Sequence, residues 1–298
     1  MKGSASAYRS LYACLLLLVC YRIICFQTVN KNRSKKNIII SISILGPFNS
    51  GTNLLKKQLV YLYSNHGNYH NEDISISICD GNQKIPQCEH IPWKHAPPWR
   101  LPTKTTSHQS TDFTIAIVRN PYSWMKSMRI TPYDLHCAWG PRSTCHLARH
   151  PYFETFGSLP AVWNQYYGEY LAREARNFYL IKYENMVLNF QETFSNLSKA
   201  ISNHAIRVLQ KENSANLSMI NVHAPPLLNN MPVYRGKAKL HGRSKNWNQA
   251  SKSLQTHSYL KDYTKDDLSW SCIILNSSLM LKFGYQTCSE IEYTSIRE

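Results

Sequence analysis

The chain has 298 residues, of which 43% are hydrophobic and 12% aromatic, and it contains only 11 glycines and 14 prolines. This composition is unlike that of a disordered, collagen-like or coiled-coil chain, and it predicts one sizeable globular domain, with two small ones as the alternative. The 34 lysines and arginines exceed the 18 aspartates and glutamates, which gives a net charge of +16. Such an excess indicates an anionic partner: nucleic acid, an anionic membrane, a phosphorylated cofactor or an acidic polymer.

The N-terminal segment carries nearly half of this charge and predicts membrane targeting. Residues Leu11 to Phe26 are apolar except for Arg22 and follow a short basic stretch, which is typical of a secretory signal or a short signal anchor. No clean small-residue cleavage site follows. We therefore predict a cytoplasmic tail at 1–10, an uncleaved type II anchor at 11–26, a stem at 27–37 and a lumenal catalytic domain at 38–298. The basic residues after the anchor oppose this orientation under the positive-inside rule, and secretion after cleavage is the alternative.

The cysteines outside the anchor favour an oxidising compartment. They fall into the local pairs Cys79–Cys88, Cys137–Cys145 and Cys272–Cys288, and other pairings stay open. A metal site is the weaker interpretation, because the sequence has no CxxC or HxxxH cluster. Four Asn-x-Ser sequons also fit a glycoprotein of the secretory lumen: Asn32, Asn196, Asn216 and Asn276.

Beyond the stem, the order of the elements predicts an α/β fold. A β-branched run of strand length, Ile38 to Leu45, is followed by a polar loop and a segment with helical periodicity. Further strands are predicted at Ile74–Cys79, Phe113–Val118 and Phe178–Lys182. Helices are predicted from Pro121 and at Leu159–Arg176, Phe190–Ser202 and Asp267–Lys282, and an extended loop at Pro225–Asn248. We expect a single P-loop-like domain with a central, mainly parallel sheet flanked by helices.

The loop between the first strand and the first helix has the composition of a phosphate site. It runs Gly46-Pro-Phe-Asn-Ser-Gly-Thr-Asn53, and its backbone N–H groups together with the helix N-terminus would suit phosphate oxygens. Its Gly-x4-Gly spacing is that of a Walker A loop, but Thr52-Asn53 stand where that loop has Lys-Ser/Thr. A nucleotide kinase-like enzyme would therefore lack its phosphate lysine. An ordinary turn capped by Ser50 or Thr52 is the alternative.

A second phosphate site is predicted after the strand that ends at Val118. Arg119 leaves the carboxyl end of this strand, and Ser127 follows eight residues later, two turns along the next helix. Both side chains can then face one ligand at the edge where α/β proteins bind ligands. A guanidinium and a hydroxyl suit a phosphomonoester.

Together with three further segments, these two motifs make the chain resemble the sulfotransferase family over roughly Ile38 to Gly242. FNSGTNLL is similar to the family's 5′-phosphosulfate loop, and VRNPYSWMKSM to its 3′-phosphate motif. Between them, Trp93-Lys94-His95-Ala96-Pro97 is similar to the catalytic Lys-x-His-x-Pro segment, with one residue missing. Further on, YLIKYENMV resembles the Tyr-Glu-Asp-Leu motif, and Tyr234–Lys237 resembles the late Arg-Lys-Gly loop. The order of the five elements makes the resemblance specific.

The resemblance implies transfer of a sulfuryl group from 3′-phosphoadenosine-5′-phosphosulfate to a hydroxyl or amine, without a metal. His95 would be the general base, and Lys94 would stabilise charge on the leaving phosphate. The cofactor-binding residues that it implies are Asn49, Ser50, Gly51, Thr52 and Asn53 for the 5′-phosphosulfate, and Arg119, Ser127, Arg235 and Gly236 for the 3′-phosphate.

Two departures from the family pattern concern catalysis. Asn49 stands where the family usually carries a lysine or arginine, so that Lys94, Lys56 or Lys57 would replace this cation. Membrane-anchored members often use a carboxylate as the base, which makes Glu89 and Asp112 rivals of His95. Glu184 is expected to brace the structure rather than to act in catalysis.

The remaining positive charge suggests an acidic acceptor. Residues 231–252 hold six basic and no acidic side chains, which would cover the nucleotide and guide an anionic glycan, or form an ordinary solvated loop. The leading hypothesis is a Golgi type II carbohydrate sulfotransferase. The alternatives are a catalytically decayed relative that binds anionic glycans and the nucleotide kinase-like enzyme. Nucleic acid is not expected as a partner, because no recognised DNA or RNA motif is present.

Overall fold

The computed structural model describes most of the chain beyond residue 37, namely 38–65, 74–81, 86–89, 91–101, 111–140, 143–173, 177–212 and 247–287. The predicted tail, anchor and stem, together with Arg235 and Gly236, lie outside the described residues. Within the described ranges, no helix is long and apolar enough to cross a membrane.

A four-stranded parallel sheet forms the centre of the fold. Its strands are β1 (Ile38–Leu45), β2 (Ile74–Cys79), β3 (Asp112–Val118) and β7 (Phe178–Lys182), in the spatial order β2-β1-β3-β7. All three neighbouring pairs are parallel. The four predicted strands and their parallel arrangement are confirmed.

The alternation of side chains along the strands divides the core into two layers. Ile40, Ile42 and Ile44 of β1 are fully buried on one face of the sheet, against α1 (Thr52–Asn65) and α5 (Phe190–Glu212). Each such isoleucine contributes about 1.5–3 kcal/mol through burial. On the other face, Ala116 and Val118 of β3 pack with the remaining helices, and Ser43 Oγ donates to Thr114 Oγ1 at 2.9 Å.

The helices follow the predicted order with different ends. The remaining helices are α2 (Pro121–Ile130), α3 (Leu159–Ala172), α4 (Tyr183–Leu188), α6 (Trp247–Gln255), α7 (Lys265–Ile274) and α8 (Ser277–Lys282), and short 3-10 turns lie at Pro86–Cys88, Pro98–Arg100 and Leu260–Asp262. Of these, α4 and α6 contact the cores of both faces.

Three helix boundaries predicted from the sequence are wrong. α3 ends four residues before Arg176, and α5 continues ten residues past Ser202. The predicted helix Asp267–Lys282 is two helices, because Leu275 is extended and Asn276 Oδ1 accepts from Leu279 N–H at 3.0 Å to cap a new helix. The predicted loop Pro225–Asn248 lies outside the described residues except for its last two, which begin α6.

A second, antiparallel sheet was not predicted. It consists of β4 (Leu135–Cys137), β5 (Cys145–Arg149) and β6 (Tyr152–Phe156), with β5 in the middle. A disulfide joins Cys137 to Cys145 directly across β4 and β5. The Cys79–Cys88 disulfide is also present, at the end of β2. Cys272 is disulfide-bonded as well, and its predicted partner Cys288 lies outside the described residues.

Candidate functional site at the carboxyl edge of the parallel sheet

The loop from Gly46 to Gly51 turns tightly between β1 and α1. Gly51 has φ +105°, and a Cβ on it would lie 2.6 Å from Tyr183 Cδ2. A Cβ on Gly46 would clash with Ser50 Oγ. Asn49 adopts a left-handed conformation with φ 59°, which asparagine tolerates better than most residues. The sequence therefore needs glycine at two of these positions for the loop to close on itself.

The end of this loop presents polar groups suited to an anion. Ser50 Oγ is buried, and none of the described residues hydrogen-bonds to it. α1 begins at Thr52 with no acidic side chain in its first turn, so its free N–H groups and positive dipole end are not neutralised there. These groups favour negatively charged oxygens at the turn.

The Lys94–His95 segment lies directly against the loop. Gly46 N–H donates to Lys94 O at 2.9 Å, and His95 Nδ1 lies 2.7 Å from Gly46 O. Tyr166 on α3 fixes the segment from behind, because its hydroxyl donates to His95 O at 3.2 Å. The sequence-predicted base and phosphate loop are therefore neighbours.

His95 is a neutral imidazole with a defined tautomer. Because Gly46 O can only accept, Nδ1 carries the proton and Nε2 keeps its lone pair. Burial lowers the pKa of His95 to about 3, and the positive charges of Lys94 and Arg149 act in the same direction. The hydrogen bond to Gly46 and the charge of Asp80 oppose this shift of the pKa.

Lys94 belongs to a small ionic network that includes Asp80. Its Nζ donates to Asn53 Oδ1 at 2.6 Å and lies 3.9 Å from Asp80 Oδ2, which also pairs with Lys56 Nζ at 2.8 Å. Burial lowers the pKa of Lys94, while Asp80 raises it. Sequence reasoning missed Asp80, although its position directly after β2 placed it at the carboxyl edge of the sheet.

Arg119 is held at the same edge by three contacts. Its Nη1 donates to Asn49 O at 2.6 Å, its Nε donates to Ser123 Oγ at 3.0 Å, and its guanidinium lies 4.4 Å from the centre of the Tyr183 ring. Trp163 Nε1 donates to Arg119 O at 2.8 Å and fixes the backbone. The guanidinium has five N–H donors, so donors remain for a ligand.

Asn49 connects the loop to α2. Its Nδ2 donates to Ser127 O at 3.2 Å and to Thr131 O at 2.7 Å, at the end of that helix. Ser127 Oγ donates to Ser123 O at 3.0 Å. The structure therefore places Arg119 and Ser127 each in contact with Asn49, the first through the Asn49 backbone oxygen and the second through the Asn49 amide. The side-chain amide of Asn49 is engaged by protein carbonyls, and its contact with a cofactor stays a prediction.

Three carboxylates named in the sequence lie in different environments. Asp112 is the first residue of β3, at the amino edge of the sheet and about 20 Å from the end of that strand, so it lies far from the Gly46–Gly51 loop. Glu89 is exposed beside the Pro86–Cys88 turn. Glu184 accepts from Asn120 N–H and from Tyr285 O–H, both at 2.9 Å, which confirms its bracing role.

No protein-family model matches the chain, and no curated protein matches it either. Among the described residues, no group of three or more His, Cys, Asp or Glu side chains is placed to hold a metal ion. The resemblance of the motifs to sulfotransferases therefore stays a prediction, to be weighed with the geometry of the edge.

Proposed function

We propose that the chain is a sulfotransferase that transfers a sulfuryl group from 3′-phosphoadenosine-5′-phosphosulfate to a hydroxyl or amine of a carbohydrate acceptor. One observation supports this above all: three separately predicted segments converge at the carboxyl edge of β1 and β3. Gly46 contacts both Lys94 and His95, and Asn49 contacts Arg119. In this proposal the Gly46–Gly51 turn is a P-loop-like phosphate site.

The bound nucleotide would supply the sulfuryl group together with a phosphate as the leaving group. The amides and hydroxyls of Ser50, Gly51 and Thr52 would hold its 5′-phosphosulfate, where Ser50 Oγ is buried without a described partner. Arg119 and Ser127 would hold the 3′-phosphate, with Arg235 and Gly236 contributing from outside the described residues. Lys94 provides a cation beside the first turn of α1, where its Nζ contacts Asn53, and its lowered pKa reflects burial that an anion would compensate.

His95 would accept the proton of the acceptor through Nε2. In the free protein its pKa of about 3 keeps it unprotonated but makes it a weak base. Negative charge brought by the ligands raises the pKa of a nearby histidine, because it stabilises the imidazolium. The base would then strengthen when both substrates are present.

For the location, we propose the membrane of the Golgi, with residues 38–298 in the lumen. The disulfides Cys79–Cys88 and Cys137–Cys145 fit an oxidising compartment. Asn196, one of the sequon asparagines, is exposed on α5, as an acceptor of N-linked glycan must be.

The test is a transfer and binding assay on the full-length chain. The chain is incubated with radiolabelled 3′-phosphoadenosine-5′-phosphosulfate and a panel of glycans, peptides and phenols, and binding of 3′-phosphoadenosine-5′-phosphate is measured by calorimetry. Arg119→Ala is expected to weaken nucleotide binding by roughly 100-fold, since it removes charge-assisted hydrogen bonds. Arg207→Ala, an exposed arginine of α5, is the matched control.

The alternative functions give different results. Nucleotide binding and glycan binding without any transfer would indicate a decayed enzyme, and a requirement for Mg-ATP would indicate a kinase. If the wild-type chain and Arg119→Ala both fail to bind the nucleotide, the cofactor assignment is wrong.

A further inference from the structure

A corner of aromatic rings surrounds His95, and one of them, Phe48, belongs to the Gly46–Gly51 loop. The first wall is a stack: His95 on Phe48, with ring centroids 4.5 Å apart, and Phe48 on Tyr133, 5.6 Å apart. The second wall is Trp93 stacked on Tyr152 at 6.0 Å. Trp93 stands nearly perpendicular to His95, with an interplanar angle of 88°. The two walls therefore meet at the proposed base.

The corner is buried at His95 and opens towards solvent. His95 and Phe48 are 8% and 4% exposed, whereas Tyr133 is 37% exposed. Tyr133 also has a left-handed backbone with φ 54°, which is uncommon for a bulky residue and marks a position held by its surroundings. Asn49 holds it, since its amide binds Thr131 O, two residues before Tyr133. The same loop that would bind the nucleotide thus fixes one wall of the corner.

A cation stands at the open end of the corner. The Arg149 guanidinium of β5 lies 5.0 Å from the centre of the Trp93 ring. Its Nη1 is 3.4 Å from Asp134 Oδ2, and both side chains are well exposed, at 47% and 38%. Such an exposed ion pair contributes little to the stability of the fold, so an anionic group of a ligand can replace Asp134 as the partner of Arg149. The Arg149 charge is also felt at His95, whose pKa it lowers.

We propose that Trp93, Tyr133 and Tyr152, with Arg149 at their open end, form an acceptor subsite for a saccharide that carries a carboxylate or sulfate group. This inference rests on the proposed function. Partly exposed aromatic side chains suit the apolar C–H faces of sugar rings, and the tyrosine hydroxyls suit their polar rims. The subsite spans two walls and a cation, which favours an extended saccharide over a single phenol ring enclosed in a slot.

The subsite also couples acceptor binding to the base. An anionic group next to Arg149 offsets the positive charge that holds the pKa of His95 down. A saccharide with its anion seated on Arg149 therefore makes His95 more basic than the same saccharide without that group.

The charge requirement is tested by binding, without nucleotide. The full-length chain is titrated by calorimetry with a tetrasaccharide containing uronic acids and with its carboxyl-reduced form. We expect the acidic form to bind about tenfold more tightly, the value of one charged hydrogen bond. Arg149→Gln should abolish this difference, and Asp134→Asn, which releases Arg149, should enlarge it. Arg129→Gln is the matched control, because Arg129 also covers an indole, that of Trp139 at 4.1 Å, elsewhere on the surface.

The ring requirement is tested in the same assay. Tyr133→Leu and Tyr152→Leu should each lower the affinity for both tetrasaccharides by about tenfold or less, which is the range for the loss of one aromatic contact. Phe153→Leu, on the same small sheet and 63% exposed, should change neither affinity.

The proposal is overturned if the acidic and reduced tetrasaccharides bind equally, or if Arg149→Gln and Arg129→Gln behave alike. It is also overturned if para-nitrophenol is the preferred ligand and depends on Tyr133 while Arg149 has no effect. Absence of sulfate transfer with intact, Arg149-dependent saccharide binding would contradict the proposed function and leave the subsite standing.

Discussion

The two edges of the parallel sheet hold similar side chains in different backbone surroundings. At the carboxyl edge, His95 is buried against Gly46 and Asp80 is buried beside Lys56. At the amino edge, His204 is buried with its ring 5.3 Å from Phe113, and Asp112 is also buried. Burial lowers the pKa of both histidines. A buried histidine with a shifted pKa is therefore no sufficient sign of a site.

What distinguishes the carboxyl edge is the backbone. There β1 passes into a loop with buried Ser50 Oγ and the free N–H groups of α1, and Arg119 follows β3 directly. At the amino edge His204 lies within the long helix α5, whose interior N–H and C=O groups are already used for intrahelical bonds. Similar ionisable residues can therefore be part of the packing at one edge and lie beside the first N–H groups of a helix and a guanidinium at the other.

The largest effect that separates the edges concerns turnover. His95→Gln keeps a donor for Gly46 O and removes the base, so the rate of sulfate transfer should fall roughly 100- to 10,000-fold, while binding of 3′-phosphoadenosine-5′-phosphate is retained. His204→Gln should leave transfer by the folded protein unchanged. Both rates are measured with the radiolabelled donor. Equal losses in the two variants would show that the carboxyl edge is not special.

The next effect is on the stability of the loop. Gly51→Ala places a Cβ at φ +105° and against Tyr183, and should lower the free energy of unfolding by about 2–4 kcal/mol. Gly168→Ala is the control, because a Cβ there meets nothing within 4 Å inside α3, and it should raise stability by up to about 1 kcal/mol. Urea unfolding measures both. A Gly51→Ala chain of wild-type stability would refute the tight turn.

A smaller loss is expected at the connection between the loop and α2. Asn49→Gly suits the left-handed backbone but removes the hydrogen bonds to Ser127 O and Thr131 O, and should cost about 1–3 kcal/mol. Asn53→Gln, at an exposed asparagine whose oxygen receives the Lys94 ammonium, should cost less than about 0.5 kcal/mol. Chemical denaturation compares the two, and a harmless Asn49→Gly would mean that the junction holds without that amide.

The most gradual effect is the dependence of stability on pH, because it is spread over several pH units. Unfolded His95 binds a proton below its ordinary pKa of 6.5, whereas the folded residue does so only near pH 3. Stability is therefore fully present above pH 6.5 and falls with acidification, by about 1.4 kcal/mol for each unit between these values. His95→Gln should remove this contribution from the dependence of the free energy of unfolding on pH. His204→Gln should also make that dependence weaker, because the pKa of His204 is lowered as well. Melting temperatures from pH 7 to pH 4 provide the test, and an unchanged slope in His95→Gln would contradict the burial of that ring.

The sequence was sufficient to predict the parallel sheet and the edge at which its candidate site residues meet. Ile38 to Leu45 and the other β-branched runs are typical of buried parallel strands, and parallel strands end at a common edge. Arg119 and the Gly46–Gly51 loop could therefore be placed together in advance. The role of Glu184 also followed from its position, at the point where a strand passes into a helix.

The antiparallel sheet could not be predicted, for reasons of length and composition. β4 has three residues, and β5, Cys145–Arg149, contains no β-branched side chain. The antiparallel sheet is held together by the disulfide between β4 and β5 and by packing against distant parts of the chain. The contacts of Tyr133 with Phe48 and of Tyr152 with Trp93 join residues far apart in sequence, so no local pattern indicates them.

The Cys79–Cys88 bond has a practical consequence for making this protein. The disulfide ties Cys88, six residues before Lys94, to the last residue of β2. The next residue, Asp80, accepts a hydrogen bond from Lys94 N–H through its backbone carbonyl at 3.1 Å, so both connections hold the chain before His95 against β2. A bond of this kind typically stabilises a fold by about 2–4 kcal/mol. Bacterial cytosol keeps such thiols reduced. Recombinant chain should therefore be produced in a periplasm or an endoplasmic reticulum, and material from a reducing host should be reoxidised before its activity is judged.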